Sequence, residues 1–322
     1  MSSSPRRAPV APRIALALAA LTAGWAPTLA GQTAPVAPVS EHVIVVSLDG
    51  LRPDAIERFG ARTLARLMAE GTGSLTASTI LPSKTLPSHT SMLTGAEPEV
   101  HGVYWNEREM AEHGYVATPT IFATAHEAGL VTAAFFSKGK FEHLAVPGTL
   151  DHARFPRGLG MDLASKTMDA VQAYLMRARP NLMFVHLADA DYAGHIAGWM
   201  SWPYGRAVQA VDREIGELLR SADRAFGAGN YTVLVTADHG GHGRDHGTDD
   251  PRDVTIPWIA WGKGVARGAT LPDDIRTTDT AATALALLGL RAPADVAGTP
   301  VAAAFPSLER PAAAAPTATD EG

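Results

Sequence analysis

Val43-Ile44-Val45-Val46-Ser47-Leu48 is a continuous, largely β-branched apolar run that stops at Asp49-Gly50. A strand that is apolar on both faces must be covered on both, the condition of a central strand in a parallel sheet. Four further runs, at 131–136, 182–187, 231–236 and 256–261, repeat the pattern. Stretches with helical spacing or helix signals separate or follow them, at 61–70, 89–93, 118–129, 161–177, 204–221 and 280–288, several closed by glycine. This alternation predicts an α/β fold: a mostly parallel central β-sheet flanked by helices on both faces. No internal repeat and no linker divides the body, so a single compact domain is expected over 41–307.

The two ends read differently. Arg6, Arg7 and Arg13 precede an apolar run from Ile14 to about Trp25, and Thr28-Leu29-Ala30 supplies small residues before a cleavage point. That is the layout of a secretory signal peptide over 1–30, processed after Ala30, and it predicts an exported protein, periplasmic or secreted. Gly24 and Pro27 break the run short of a comfortable membrane span, so no stable span is expected after processing. Residues 31–40 read as a disordered leader and 308–322 as a disordered tail. The chain has no cysteine, which excludes disulfides and thiolate metal sites. A net charge of −6 and a pI near 6.0 give no electrostatic case for a nucleic-acid polymer as partner. An anionic substrate would need local positive charge, from metals or a few lysines.

Polar residues gather where the apolar runs stop. Asp49 ends the first strand, and Gly50 lets the chain turn sharply; alone, an aspartate there is as readily a turn or helix cap. Asp191 and His195 follow the 182–187 run at a spacing of four, which puts two side chains on one face of a helix, with Asp189 as the alternative carboxylate. Ala237-Asp238-His239-Gly240-Gly241-His242-Gly243-Arg244-Asp245-His246-Gly247 is harder to explain as scaffold, because its glycines disfavour helix and its histidines lack a core to sit in. Carboxylates with imidazoles suit zinc or a similar divalent metal, and a two-metal site suits displacement at phosphorus. Thr85, between Pro82 and Pro87, sits in a rigid turn that leads into a helix whose N–H groups can face an anion. Its hydroxyl could serve as a nucleophile or simply cap the helix; Ser83, Ser88 and Thr90 compete for the first role.

These pieces resemble, in order, the motifs of the alkaline phosphatase superfamily, and most closely its type I phosphodiesterase/nucleotide pyrophosphatase branch. The matching segments are Ser47-Leu48-Asp49-Gly50, Lys84-Thr85-Leu86-Pro87-Ser88-His89 with Leu93-Thr94-Gly95, His101-Gly102-Val103, Asp191 through His195, Ala237-Asp238-His239-Gly240 and His246-Gly247. The resemblance implies an alkaline-phosphatase-like fold with little or no cap and two divalent metal ions, most simply Zn2+. One metal would be held by Asp191, His195 and His246, and the other by Asp49, Asp238 and His239 with Thr85. It also implies that Thr85 is the nucleophile of a phosphoric ester hydrolase working through a covalent phospho-enzyme, and that Asn106 hydrogen-bonds a nonbridging phosphoryl oxygen. The implied partner is a small phosphate-ester or nucleotide substrate.

Three features qualify the resemblance. Ser88 stands where the nucleotide pyrophosphatases have Asn, at a position that is not a metal ligand. The interval from His239 to His246 is short, whereas larger phosphodiesterases carry a long insertion there, so a nucleotide base would be contacted differently. Ser137-Lys138-Gly139-Lys140 places two cations where relatives that cleave phosphomonoesters or phosphonoacetate carry a similar pair. Lys138 and Lys140 are readable as substrate-binding groups or as ordinary lysines of a solvated loop. Sulfatase activity would need a formylglycine motif that is absent. An exported protein that binds metal without catalysis is the reading from another class.

Overall fold

The computed structural model describes residues 37–157, 160–294 and 296–308. The expected signal peptide, and all but the first residue of the expected tail, lie outside the described residues. One seven-stranded sheet organises the chain: β1 (Val43–Leu48), β2 (Thr72–Ser78), β3 (Thr132–Phe135), β4 (His152–Arg154), β5 (Leu182–Leu187), β6 (Thr232–Thr236) and β7 (Thr255–Gly262), in the order β2-β7-β6-β1-β5-β3-β4. β1 pairs in parallel with β5 on one side and β6 on the other. All three are buried along their whole length, which is why their sequences are apolar without alternation.

Among the described residues, eleven α-helices flank the sheet. In chain order they are α1 (Pro53–Arg58), α2 (Arg62–Glu70), α3 (Thr85–Thr94), α4 (Pro98–His101), α5 (Met110–His113) and α6 (Ile121–Glu127), then α7 (Ala164–Ala178), α8 (Asp189–Ala197), α9 (Trp202–Phe226), α10 (Pro251–Val254) and α11 (Asp279–Leu287). One set, α2, α7 and α8, packs around α9; another, α3, α4, α6 and α11, packs together. Helix α9 shows how sequence makes such an element. Ser201 caps it by accepting the Tyr204 N–H, Pro203 sits in the first turn where no donor is needed, and Val208, Val211, Ile215, Leu218 and Ala222 form a buried stripe. Each larger aliphatic side chain in that stripe contributes about 1.5–3 kcal/mol of apolar burial. Among the described residues no helix is long and apolar enough to cross a membrane.

The sheet is mixed in one respect. β7 runs antiparallel to both neighbours, β6 and β2, while the other strands share one direction. The 237–254 connection carries only the four-residue α10 and stays at the edge where β6 ends, so the next strand returns the opposite way. The register sets up the site: Ser47 is level with His186 and Thr236, and Leu48 with Leu187. Asp49, the start of α8 and Asp238 therefore leave the same carboxyl edge at the same height, where the connections from the central strand diverge.

Candidate metal centre

Asp49 and Asp238 are fully buried, and Asp191 nearly so. Gly50 holds them in register. Its φ of +70° is a conformation that favours glycine, and a Cβ there would meet the Asp191 backbone at 2.9 Å. Its N–H donates to Asp238 Oδ1 at 3.1 Å, while the Asp191 N–H donates to the Asp49 carbonyl at 3.0 Å.

The six predicted ligands converge on one small volume. Asp49, Asp238 and His239 each offer a ligand atom within 4.8 Å of the others, and so do Asp191, His239 and His246. His239 belongs to both groups, its Nε2 lying 3.4 Å from Asp49 Oδ1 and 3.2 Å from Asp238 Oδ2. His246 Nε2 lies 3.7 Å from Asp191 Oδ1, and the half-exposed His195 approaches the same oxygen from outside at 3.3 Å. The three imidazoles share one arrangement. Nδ1 of His239, His246 and His195 faces a backbone carbonyl, of Gly240, Ser83 and Arg244 respectively, at 2.8–2.9 Å. A carbonyl can only accept, so Nδ1 carries the proton and Nε2 turns a lone pair inward, the tautomer that a metal ligand requires.

Three carboxylate oxygens, Asp49 Oδ1, Asp191 Oδ1 and Asp238 Oδ2, are buried without a hydrogen-bond partner among the described residues. Leaving such acceptors unpaired is expensive, and all three face imidazole nitrogens, so the donor set fits a divalent cation. The ionisation pattern has the same origin. Burial together with the Asp49 charge pushes Asp238 up to about 8. Burial alone would raise Asp49, but Lys138 and a hydrogen bond from His186 hold it well below the usual carboxylate range. Burial takes His246 down to about 3.

Thr85 is the first residue of α3, with its Oγ1 3.4 Å from His239 Nε2. Its backbone N–H has no partner among the described residues. The competing hydroxyls are engaged elsewhere: Ser83 donates to the Thr248 carbonyl, Ser88 accepts from Thr79, and Thr90 donates to the Leu86 carbonyl. Asp189 accepts the Ala164 N–H at the start of α7 and takes no part in the centre. His242, paired with Asp253 at 2.7 Å, steadies the glycine-rich loop instead.

A cavity of about 390 Å³ opens above these groups, lined by Thr85, Asn106, Lys138, Lys140, His195 and His246 among others. Asn106 Oδ1 accepts from Leu86 N–H and from Lys140 Nζ, both at 3.0 Å, so its amide nitrogen is left as the free end. Neither lysine is the solvated loop residue that the sequence allowed. Lys138 Nζ bridges Asp49 Oδ2 at 2.6 Å and Asp191 Oδ2 at 2.5 Å, and those charges raise its pKa although burial opposes them. Burial and the neighbouring Lys138 bring Lys140 down to about 8.

Sequence reasoning missed a supporting layer. His186, hidden in an apolar strand, places Nε2 2.9 Å from Asp49 Oδ2. His89 donates Nδ1–H to the Thr85 carbonyl at 2.7 Å and lies 3.3 Å from Asp238 Oδ2. Trp199 packs so closely on Gly194 and Gly241 that a Cβ at either would overlap its ring, and its Nε1–H donates to the Gly50 carbonyl. A histidine inside a buried strand was the one available signal for this layer.

A family model described as type I phosphodiesterase / nucleotide pyrophosphatase matches residues 43–249, the span that carries every candidate ligand above. The chain belongs to that family, and with it to the alkaline phosphatase superfamily. Its relatives include GPI ethanolamine phosphate transferase 1 of Gibberella zeae, 26% identical over 282 residues that cover 75% of this chain and 28% of the transferase. They also include ectonucleotide pyrophosphatase/phosphodiesterase family member 3 of Rattus norvegicus, 26% identical over 216 residues, 62% of this chain and 24% of the relative. The chain thus spans about a quarter of the length of these relatives. Among solved structures, an inactive murine ectonucleotide pyrophosphatase/phosphodiesterase 5 in complex with AMP matches with a TM-score of 0.68 at 16% identity, over 79% of this chain and 96% of that one. A putative sulfatase of Bacteroides thetaiotaomicron matches with a TM-score of 0.67 at 16% identity, over 84% and 74%. These structures share the fold expected from the sequence.

Proposed function

We propose that this family member is a metal-dependent phosphoric ester hydrolase that uses Thr85 as its nucleophile. The observation that carries the reading is the convergence of three unpaired buried carboxylate oxygens and three inward Nε2 atoms beside the Thr85 hydroxyl. Asp191, His195 and His246 would hold one divalent ion and Asp49, Asp238 and His239 the other, with Zn2+ the best match to the donor set. When bound, such ions supply Lewis acidity and lower the pKa of a hydroxyl or water.

The rest falls to the chain. The N–H of Thr85 and the side-chain amide of Asn106 are donors for the nonbridging phosphoryl oxygens, at a helix N-terminus that favours anions. Thr85 Oγ1 gives up its proton to solvent and forms a bond to phosphorus as the bond to the leaving oxygen breaks; that oxygen departs with the bonding electrons and takes a proton from water. Water then cleaves the phosphothreonine and restores the hydroxyl. A small phosphodiester or nucleotide is the preferred substrate class, in keeping with the family and with the AMP carried by the murine neighbour.

The two lysines on the cavity wall favour a second reading, in which a dianionic phosphomonoester or phosphonoacetate-like substrate is preferred. Export through the N-terminal leader belongs to the proposal too, and is checked by sequencing the N-terminus of the protein recovered outside the cytoplasm. The deciding experiment measures metal content and turnover of p-nitrophenyl phosphate, bis-p-nitrophenyl phosphate and phosphonoacetate by purified protein. Tight metal binding with no ester cleavage would leave the non-catalytic reading in its place.

A further inference from the structure

We infer that His186 is a positioning residue of the metal centre, selecting which oxygen of Asp49 faces the metal; this rests on the metal-dependent reading above. His186 lies on β5, fully buried, and it is not among the residues lining the substrate cavity. Its protonation follows from its partners. The backbone N–H of Ser137 can only donate, and it points at His186 Nδ1 from 3.2 Å. Nδ1 therefore accepts, the ring is neutral, and its single proton sits on Nε2, 2.9 Å from Asp49 Oδ2.

That donor acts together with the Lys138 ammonium, 2.6 Å from the same oxygen. Oδ2 is satisfied twice, and Oδ1 is turned toward His239, where nothing among the described residues donates to it. The ring cannot swing away. Phe141 lies against it with centroids 4.5 Å apart, and His89 meets it edge-on at 4.9 Å. Ser137 grips the residue a second time, its Oγ–H donating to the His186 carbonyl at 2.7 Å. Ser137 is also the residue before Lys138, so one strand-end contact sets both groups that hold Oδ2. A carboxylate oriented in this way is preorganised as a ligand, and outer partners of this kind are worth about 10–100-fold in metal affinity.

The test is zinc affinity of the full chain, by competition with a chromophoric chelator, for wild type, H186Q, H186N and H186L. Glutamine can carry an N–H to the Nε2 position; asparagine reaches only the Nδ1 position, and leucine offers no donor. The expected result is a loss of about 10–100-fold in H186N and H186L at one bound zinc, with H186Q restored to within roughly threefold. Melting temperatures in excess chelator should differ little between H186N and H186Q, which a merely structural role would not give. If H186L does not fold, the Asn/Gln pair decides alone. Equal affinity in all variants of a zinc-binding wild type overturns the positioning role and leaves the metal reading intact, as does an equal loss in H186N and H186Q. A wild type that takes up no zinc removes the metal reading, and the role of His186 with it.

Discussion

Thr85 Oγ1 lies 3.4 Å from Nε2 of His239, at the first residue of a helix whose leading N–H is unpaired among the described residues. On the proposed reading this hydroxyl is the attacking group. Thr85→Ala should lower turnover by on the order of 10³-fold or more while leaving bound metal unchanged. Steady-state rates beside elemental analysis of the same samples check this, and near wild-type rates would end the assignment.

Metal removal should act on folding as well as on rate, because three buried acceptors lose their partner. Treatment with chelator should abolish ester cleavage and lower the melting temperature. Readdition of zinc at about 1,000 times its dissociation constant should return roughly 4 kcal/mol of stability. A melting temperature indifferent to zinc would contradict the donor-set argument.

Lys138 joins two carboxylates on different elements, so its loss should be felt even without metal. Lys138→Met should destabilise the chelator-treated protein by about 3–5 kcal/mol, since removing one partner leaves buried charge uncompensated. Urea unfolding of both proteins in chelator gives the difference, and values within about 0.5 kcal/mol would mean the bridge contributes nothing.

Lys140 bears on the substrate's charge. Lys140→Ala removes one of the two donors that orient the Asn106 amide and one cation from the cavity wall. Cleavage of p-nitrophenyl phosphate should fall by about 10–100-fold, and that of bis-p-nitrophenyl phosphate less, because the dianion gains more from the cation. Equal losses on both esters would count against the monoester reading.

Acid should weaken the fold through two buried histidines away from the predicted ligands. Burial holds His101 and His143 both down at about 4, with the His143 charge adding to the effect at His101 and Lys140 at His143. Unfolded histidine takes its proton near 6.5, so between about 6.5 and 4 the unfolded chain binds more protons. Their contribution is complete above about pH 6.5 and lost as pH falls toward 4. Urea midpoints at pH 7.5 and 5.0 should therefore drop, and His101→Gln should flatten the slope; a midpoint that rises on acidification would refute this.

Much of the candidate centre was legible because Asp49, Asp191 and Asp238 come within a few residues of strands whose apolar runs are unmistakable, and because the glycines of the 238–247 loop disfavour helix. The prolines flanking Thr85 marked a rigid turn before a helix, while Ser83, Ser88 and Thr90 remained competing candidates until their hydrogen-bond partners were visible. Other features depend on pairings distant in sequence. The reversed direction of β7 leaves no mark on its apolar pattern, since a strand buried on both faces looks alike either way. β2 was not expected, because Thr72–Ser78 is mostly small and polar and becomes a strand by pairing with β7. His186 was invisible as a functional residue because its donor, Ser137, and its acceptor, Asp49, lie 49 and 137 positions away.

Gly50 gives this architecture a direction of change. Its N–H is committed to Asp238, its carbonyl receives both Trp199 and Tyr204, and its α-carbon abuts Asp191. The segments bearing Asp49, Asp191 and Asp238 are thus tied to one another through this residue, and a change at any of them bears on the others. New substrate preferences can accumulate only where that coupling does not reach, around Lys140 and the segment bearing Asn106. The carboxylate-bearing floor is inherited whole, and the rim is the part that can be rewritten.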